Sequence, residues 1–97
     1  MRLRFTPHAL QDLANIAGFV REQNPPAALR VRAAILESLQ SLVLFPHIGR
    51  QQKVERVRKL VTRRDRYLVY YTADEQSDEI VILAIQHPAH DREYEDA

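Results

Sequence analysis

One apolar run dominates the hydropathy pattern: Ile80-Val-Ile-Leu-Ala-Ile85, mostly β-branched and of strand length. A continuous run of this kind predicts a strand buried on both faces. Pro88 cannot continue a ladder, so the strand ends near His87 and delivers an imidazole to one end of a sheet. At the other end of the chain, Arg2-Leu-Arg-Phe5 alternates polar and apolar, as a short strand does. Thr6 then reads as an N-cap, with Pro7 at the first helical position. Leu10, Leu13, Ala17 and Val20 recur at helical spacing, and Ile16 and Phe19 widen the stripe. This helix runs to about Glu22. Asn24-Pro25-Pro26 ends it and opens another, with the asparagine as cap. The second helix spans residues 26–44, with Ala28, Val31, Ile35, Leu39 and Leu42 as its core stripe. Leu29, Leu36 and Val43 form a row beside that stripe, either the shoulder of a broad core face or part of an interface.

Phe45-Pro-His-Ile-Gly-Arg50 breaks the helix, and Gly49 admits backbone angles that other residues avoid. Residues 51–56 read as a polar loop. Residues 57–62 and 66–72 read as two strands joined by a turn at Arg63-Arg64-Asp65. An acidic connection over residues 73–78 leads into the last strand. The fold class is α+β, in the order β-α-α-β-β-β, as one domain over residues 1–97. A helical hairpin packs on one face of a small, mainly antiparallel sheet of four strands, and the first strand joins its edge. No helix is left for the other face, which predicts an open, concave, cationic surface beside the His87 end.

Charge sharpens this picture. The chain is nearly neutral, at +1, yet residues 50–66 hold eight basic side chains against Glu55 and Asp65, a net of +6. From Ala73 onward eight acids face one base, Arg92, a net of −7. A local basic block in a neutral chain points to an anionic partner, or else to a solvated charged hairpin. There is no cysteine, so neither a disulfide nor a thiolate metal site is available. No run approaches the roughly 20 apolar residues of a membrane span, and a cytoplasmic, membrane-free protein is expected.

The candidate chemistry gathers at the end of the last strand. His87 either shuttles protons or binds phosphate, or it is a half-buried structural cap. Arg58, Lys59, Arg63, Arg64 and Arg66 are suited to phosphate oxygens, because guanidinium forks pair with them bidentately. Arg66 opens a strand expected to neighbour His87, so the two share a site. Tyr67, Tyr70 and Tyr71 read as core. Tyr94 offers a phenol for acid/base work or an anchor for the tail, and Glu55 is a candidate base. His87, His90, Asp91 and Glu93 match no zinc spacing, so neither a metal nor a cofactor is expected.

These segments, taken in order, resemble the RelE/ParE superfamily of type II toxin–antitoxin toxins. The resemblance rests on Leu3-Arg-Phe-Thr-Pro-His-Ala-Leu-Gln-Asp-Leu13, the long hairpin and Phe45-Pro-His-Ile-Gly-Arg50. Val57-Arg-Lys-Leu60, Arg66-Tyr-Leu-Val-Tyr-Tyr71 and Ile80-Val-Ile-Leu-Ala-Ile-Gln-His87 complete it. It implies a growth-inhibiting toxin neutralised by a cognate ParD-like or RelB-like antitoxin, through which alone operator DNA is bound. The long hairpin and the Pro-x-x-Gly-Arg loop resemble the ParE-like branch, which inhibits DNA gyrase without catalysis. The alternative is a RelE-like, ribosome-dependent mRNA endoribonuclease. In that branch His87, Arg66 and Tyr94 are the implied catalytic groups, with Arg58, Lys59, Arg63, Arg64 and Arg92 binding target or substrate. Pro88 after His87, the displaced Tyr94 and the scarcity of lysines depart from the ribonuclease pattern.

Overall fold

The structure, a computed structural model, describes residues 1–88. Its elements are β1 (Arg2–Phe5), α1 (Pro7–Gln23), α2 (Pro25–Leu44), β2 (Arg50–Gln51), β3 (Arg58–Val61), β4 (Leu68–Asp74) and β5 (Glu79–Gln86). The expected β-α-α-β-β-β order stands, with one insertion. A short strand, β2, spans the junction between the break at residues 45–50 and the stretch read as a polar loop, pairing Arg50 with Lys59 and Gln51 with Arg58. Two residues carry no readable periodicity, so the pattern could not reveal this strand. The sheet therefore has five strands, not four, in the order β1-β5-β4-β3-β2. β1 lies parallel to β5 at one edge, and the other pairings are antiparallel.

The helices cover one face. Val31, Ile35, Leu39 and Leu42 of α2 meet Val69, Tyr71, Ile80, Ile82 and Ile85 of the sheet in the main core. In α1 the contact is narrower than the stripe suggested: Ala9 and Leu13 are buried, while Leu10 and Phe19 are 54% and 63% exposed. At about 100° per residue those two project on opposite flanks of the buried line. Thr6 caps α1 as expected, accepting from the Ala9 N–H at 3.1 Å. Asn24 serves α2 differently from the expected side-chain cap: its carbonyl accepts from Ala27 N–H at 2.9 Å, and its side chain makes no capping bond.

An irregularity in β5 sets which way the end of that strand faces. Tyr71 pairs with Ile82 and Tyr70 with Ala84, so Leu83 is an extra residue, a β-bulge. β1 ends opposite Ile82. Beyond that point α1 supplies partners for the outer edge of β5. The Thr6 hydroxyl donates to the Leu83 carbonyl at 3.2 Å, and the Ile85 N–H donates to the Asp12 carboxylate at 2.9 Å. The bulge thus sits on a helix-borne scaffold that satisfies backbone groups the sheet leaves open.

Candidate functional site

β3 and β4 are joined by a turn that presents Arg63, Arg64 and Arg66 to solvent. Thr62 organises it and is only 2% exposed. Its N–H donates to the Tyr67 carbonyl at 2.9 Å, and its hydroxyl accepts from the Tyr67 N–H at 3.0 Å and donates to the Arg64 carbonyl at 2.7 Å. Closing the turn places Asp65 and Arg66 in the left-handed region, at φ 63° and 55°. Arg66 therefore lies in the turn and not, as expected, at the head of a strand. Aspartate tolerates this conformation, but for an arginine it costs on the order of 1–2 kcal/mol. Glycine relieves that cost and returns roughly half of it as chain entropy. Arg66→Gly is thus expected to raise the melting temperature by about 4 °C in a thermal melt; a fall would contradict the strain assigned here.

The bulge decides where His87 goes. A one-residue slip exchanges the faces of a strand. Ile80 and Ile82 before Leu83, and Ile85 after it, all join the helix-side core. Continued alternation turns His87 to that same side, against Tyr67. The two rings meet edge to face, with centroids 5.9 Å apart and planes at 82°. His87 stays exposed while Tyr67 is buried. Burial pushes the Tyr67 phenol above its ordinary value of 10.0, and the Asp65 charge adds to the shift. The phenol is accordingly a proton-bearing group at neutral pH. Because Leu68 pairs with Gln86, the arginine turn and His87 lie at the same end of the sheet. Three guanidinium forks and an imidazole at one end of the sheet are groups whose chemistry suits pairing with anions.

The rest of the basic block is elsewhere. Arg58 starts β3, three residues and roughly 10 Å from the Val61 end. Its Nη1 donates to the carbonyls of His47 at 3.2 Å and Gly49 at 2.8 Å. Lys59, opposite Tyr70, shares the second face of the sheet. That face is not the open cationic surface the charge pattern suggested. Val57, Leu68, Tyr70 and Ala84 form a small buried cluster there, because the strands are apolar at alternate positions on both sides. Glu55 precedes β3 and so lies at the far end from His87. Arg92 and Tyr94, with His90, Asp91 and Glu93, lie outside the described residues. Among the described residues no three histidine or carboxylate side chains converge as a metal site, and no helix is long and apolar enough to cross a membrane.

Two side-chain contacts also escaped the sequence reading. The Tyr67–His87 contact depends on the Leu83 bulge, which an unbroken apolar run conceals. The other is the role of Gly49. Its φ is not positive; the glycine is required by close approach. A Cβ there would stand 2.6 Å from Cε1 and from the hydroxyl of Tyr71. That hydroxyl accepts from the Gly49 N–H and donates to the Pro46 carbonyl, each at 2.8 Å. The Pro-x-x-Gly spacing of the loop, set beside a strand tyrosine, was the available signal.

Comparison with known proteins accords with this architecture. Residues 3–92 match the family described as the ParE toxin of the type II toxin–antitoxin system, parDE. A candidate toxin of Sinorhizobium fredii, Y4kP, is 32% identical over 86 residues, covering 89% of this chain and 86% of that protein. Among solved structures, the chromosomal ParDE toxin–antitoxin system of P. aeruginosa is similar over 90% of this chain and 95% of that chain. Its TM-score is 0.79 at 29% identity. The RelBE2 toxin–antitoxin complex of Mycobacterium tuberculosis gives a TM-score of 0.61 at 27% identity, over 89% and 95% of the two chains. The isolated E. coli RelE toxin shares the fold, with a TM-score of 0.63 at 17% identity over 89% and 82%. The chain belongs to the ParE toxin family of type II toxin–antitoxin systems.

Proposed function

We propose that this toxin arrests growth by inhibiting DNA gyrase in the cytoplasm, and that a cognate ParD-like antitoxin neutralises it and carries any binding to operator DNA. The observation that carries the reading is the ParE family match over residues 3–92. The arginine turn is the proposed contact with the target. Arg63, Arg64 and Arg66 stand exposed on a turn fixed by Thr62, so little backbone freedom is lost on binding. A docking surface of this kind needs charge and shape, and no proton transfer. Glu55 and His87 lie at opposite ends of the sheet, one before the start of β3 and one after the end of β5, which argues against their acting as a base and acid on one phosphate.

One observation favours the ribonuclease reading as a second possibility: His87, Arg66 and the protonated Tyr67 share one end of the sheet. Induction of the toxin alone in bacteria separates the two. As a gyrase inhibitor, it produces DNA breaks that vanish in cells with a toxin-resistant gyrase, transcripts stay whole, and His87→Ala retains toxicity within a few-fold. Cleaved transcripts, with toxicity abolished by His87→Ala, would overturn the proposal.

A further inference from the structure

The end of the sheet away from the arginine turn carries a second surface, which the proposed action on gyrase does not use. Just after α2 the chain exposes Leu44, Phe45 and Ile48, at 74%, 59% and 56%. With Pro46 and His47 they border a shallow apolar hollow. Single exposed apolar side chains are ordinary, but three within five residues make a patch. The loop that bears them is braced from behind. The Tyr71 hydroxyl bonds Pro46 and Gly49, and Arg58 bonds the carbonyls of His47 and Gly49. The Ile48 N–H donates to the Phe45 carbonyl at 3.1 Å. An aromatic anchor on an already ordered backbone is the kind of feature that dominates protein interfaces, because its ordering cost is largely met in the free state.

His47 also lines an adjoining polar pocket of about 610 Å³, together with Arg56, Arg58, Asp74 and Glu75. That volume is ample for a partner's side chain. The pocket's acids are engaged within the fold. Glu75 lies 3.3 Å from His47 Nε2, and Asp74 accepts from the N–H groups of Gln76 and Ser77. Among the described residues no carboxylate pairs with Arg56 or Arg58. Arg58 is itself held by the loop carbonyls, so Arg56 is the exposed cation of this pocket that a partner's carboxylate can meet, across from His47 of the apolar patch.

We propose that this patch and its arginine pocket form a seat for the antitoxin, which lays apolar side chains on Phe45 and Ile48 and sets a carboxylate beside Arg56. The proposal rests on the toxin–antitoxin reading. A nucleic acid would use the arginines but leave the apolar side chains wet, whereas an acidic, apolar protein segment satisfies both. A lasting partner also suits an apolar surface better than a transient target does. The target-facing turn, by contrast, is polar throughout.

The test uses the full-length toxin and its purified cognate antitoxin. Phe45→Ala/Ile48→Ala and Arg56→Glu each alter exposed side chains. Each is expected to weaken antitoxin binding at least tenfold, the Arg56→Glu loss shrinking as salt rises. Each toxin is expected to stay lethal when induced alone and to escape neutralisation when the antitoxin is co-induced. Unchanged antitoxin affinity in both variants overturns this inference alone. So does lost toxicity with neutralising affinity intact, which would make the patch a target surface, or a loss confined to binding of a short DNA duplex. A parent protein that binds no antitoxin overturns the toxin–antitoxin reading as well.

Discussion

Gly49→Ala is expected to lower the melting temperature by about 15 °C. The added Cβ meets a buried ring edge and hydroxyl at 2.6 Å, and Tyr71 is fully buried, with no room to withdraw. Moving it strains the core and breaks the hydroxyl's two bonds to Gly49 and Pro46. Overpacking and unmade buried hydrogen bonds each cost about 1–3 kcal/mol, so a total near 3 kcal/mol is expected. Tyr71→Phe removes the hydroxyl's share of the clash and of the bonding. The double variant should therefore be less destabilised than the two single effects added together. Thermal melts of the three variants check this. A Gly49→Ala protein melting within 2 °C of the parent would remove the close-approach account of the loop.

Replacing Arg63, Arg64 and Arg66 together by alanine is expected to abolish growth inhibition while leaving the fold in place. All three side chains are exposed and the turn's bracing comes from Thr62, so the melting temperature should hold or rise. Removing three adjacent cations from a target contact should raise the half-inhibitory concentration on the order of 100-fold. The effect should be largest at low salt, where the lost attraction is least screened. Arg66→Gly is the informative single change, because it should stabilise the protein and weaken the toxin at once. Full toxicity in the triple variant would move the target contact away from this turn.

The frame of the molecule was legible in the sequence because that frame obeys periodicity. The β-branched run at Ile80, the helical stripe ending at Leu42 and the proline stops each have one plain physical reading. The features that escaped were those set by tertiary fit. β2 is too short for a pattern. The Leu83 bulge leaves no mark in an all-apolar run, yet it alone turns His87 toward Tyr67. The basic block looked continuous along the chain, but β3 separates Arg58 from the turn arginines, and the fold spends Arg58 on loop carbonyls. Alternation also hid the second face, where charged and apolar positions interleave and Leu68 and Tyr70 give the face its own small core. Of the candidate site, the arginine turn and His87 were legible as neighbours and Tyr67 as a core residue; the edge-to-face contact of Tyr67 with His87 and the strained φ of Arg66 were not.

Action on gyrase by binding is tested most directly with the purified toxin in a reaction of gyrase, ATP and relaxed plasmid, run beside a translation extract programmed with a defined mRNA. The expected result is loss of supercoiling at toxin levels comparable to gyrase, restored by the antitoxin, while the extract translates a whole message. Undiminished supercoiling, together with mRNA cut only in the translating extract, would contradict it.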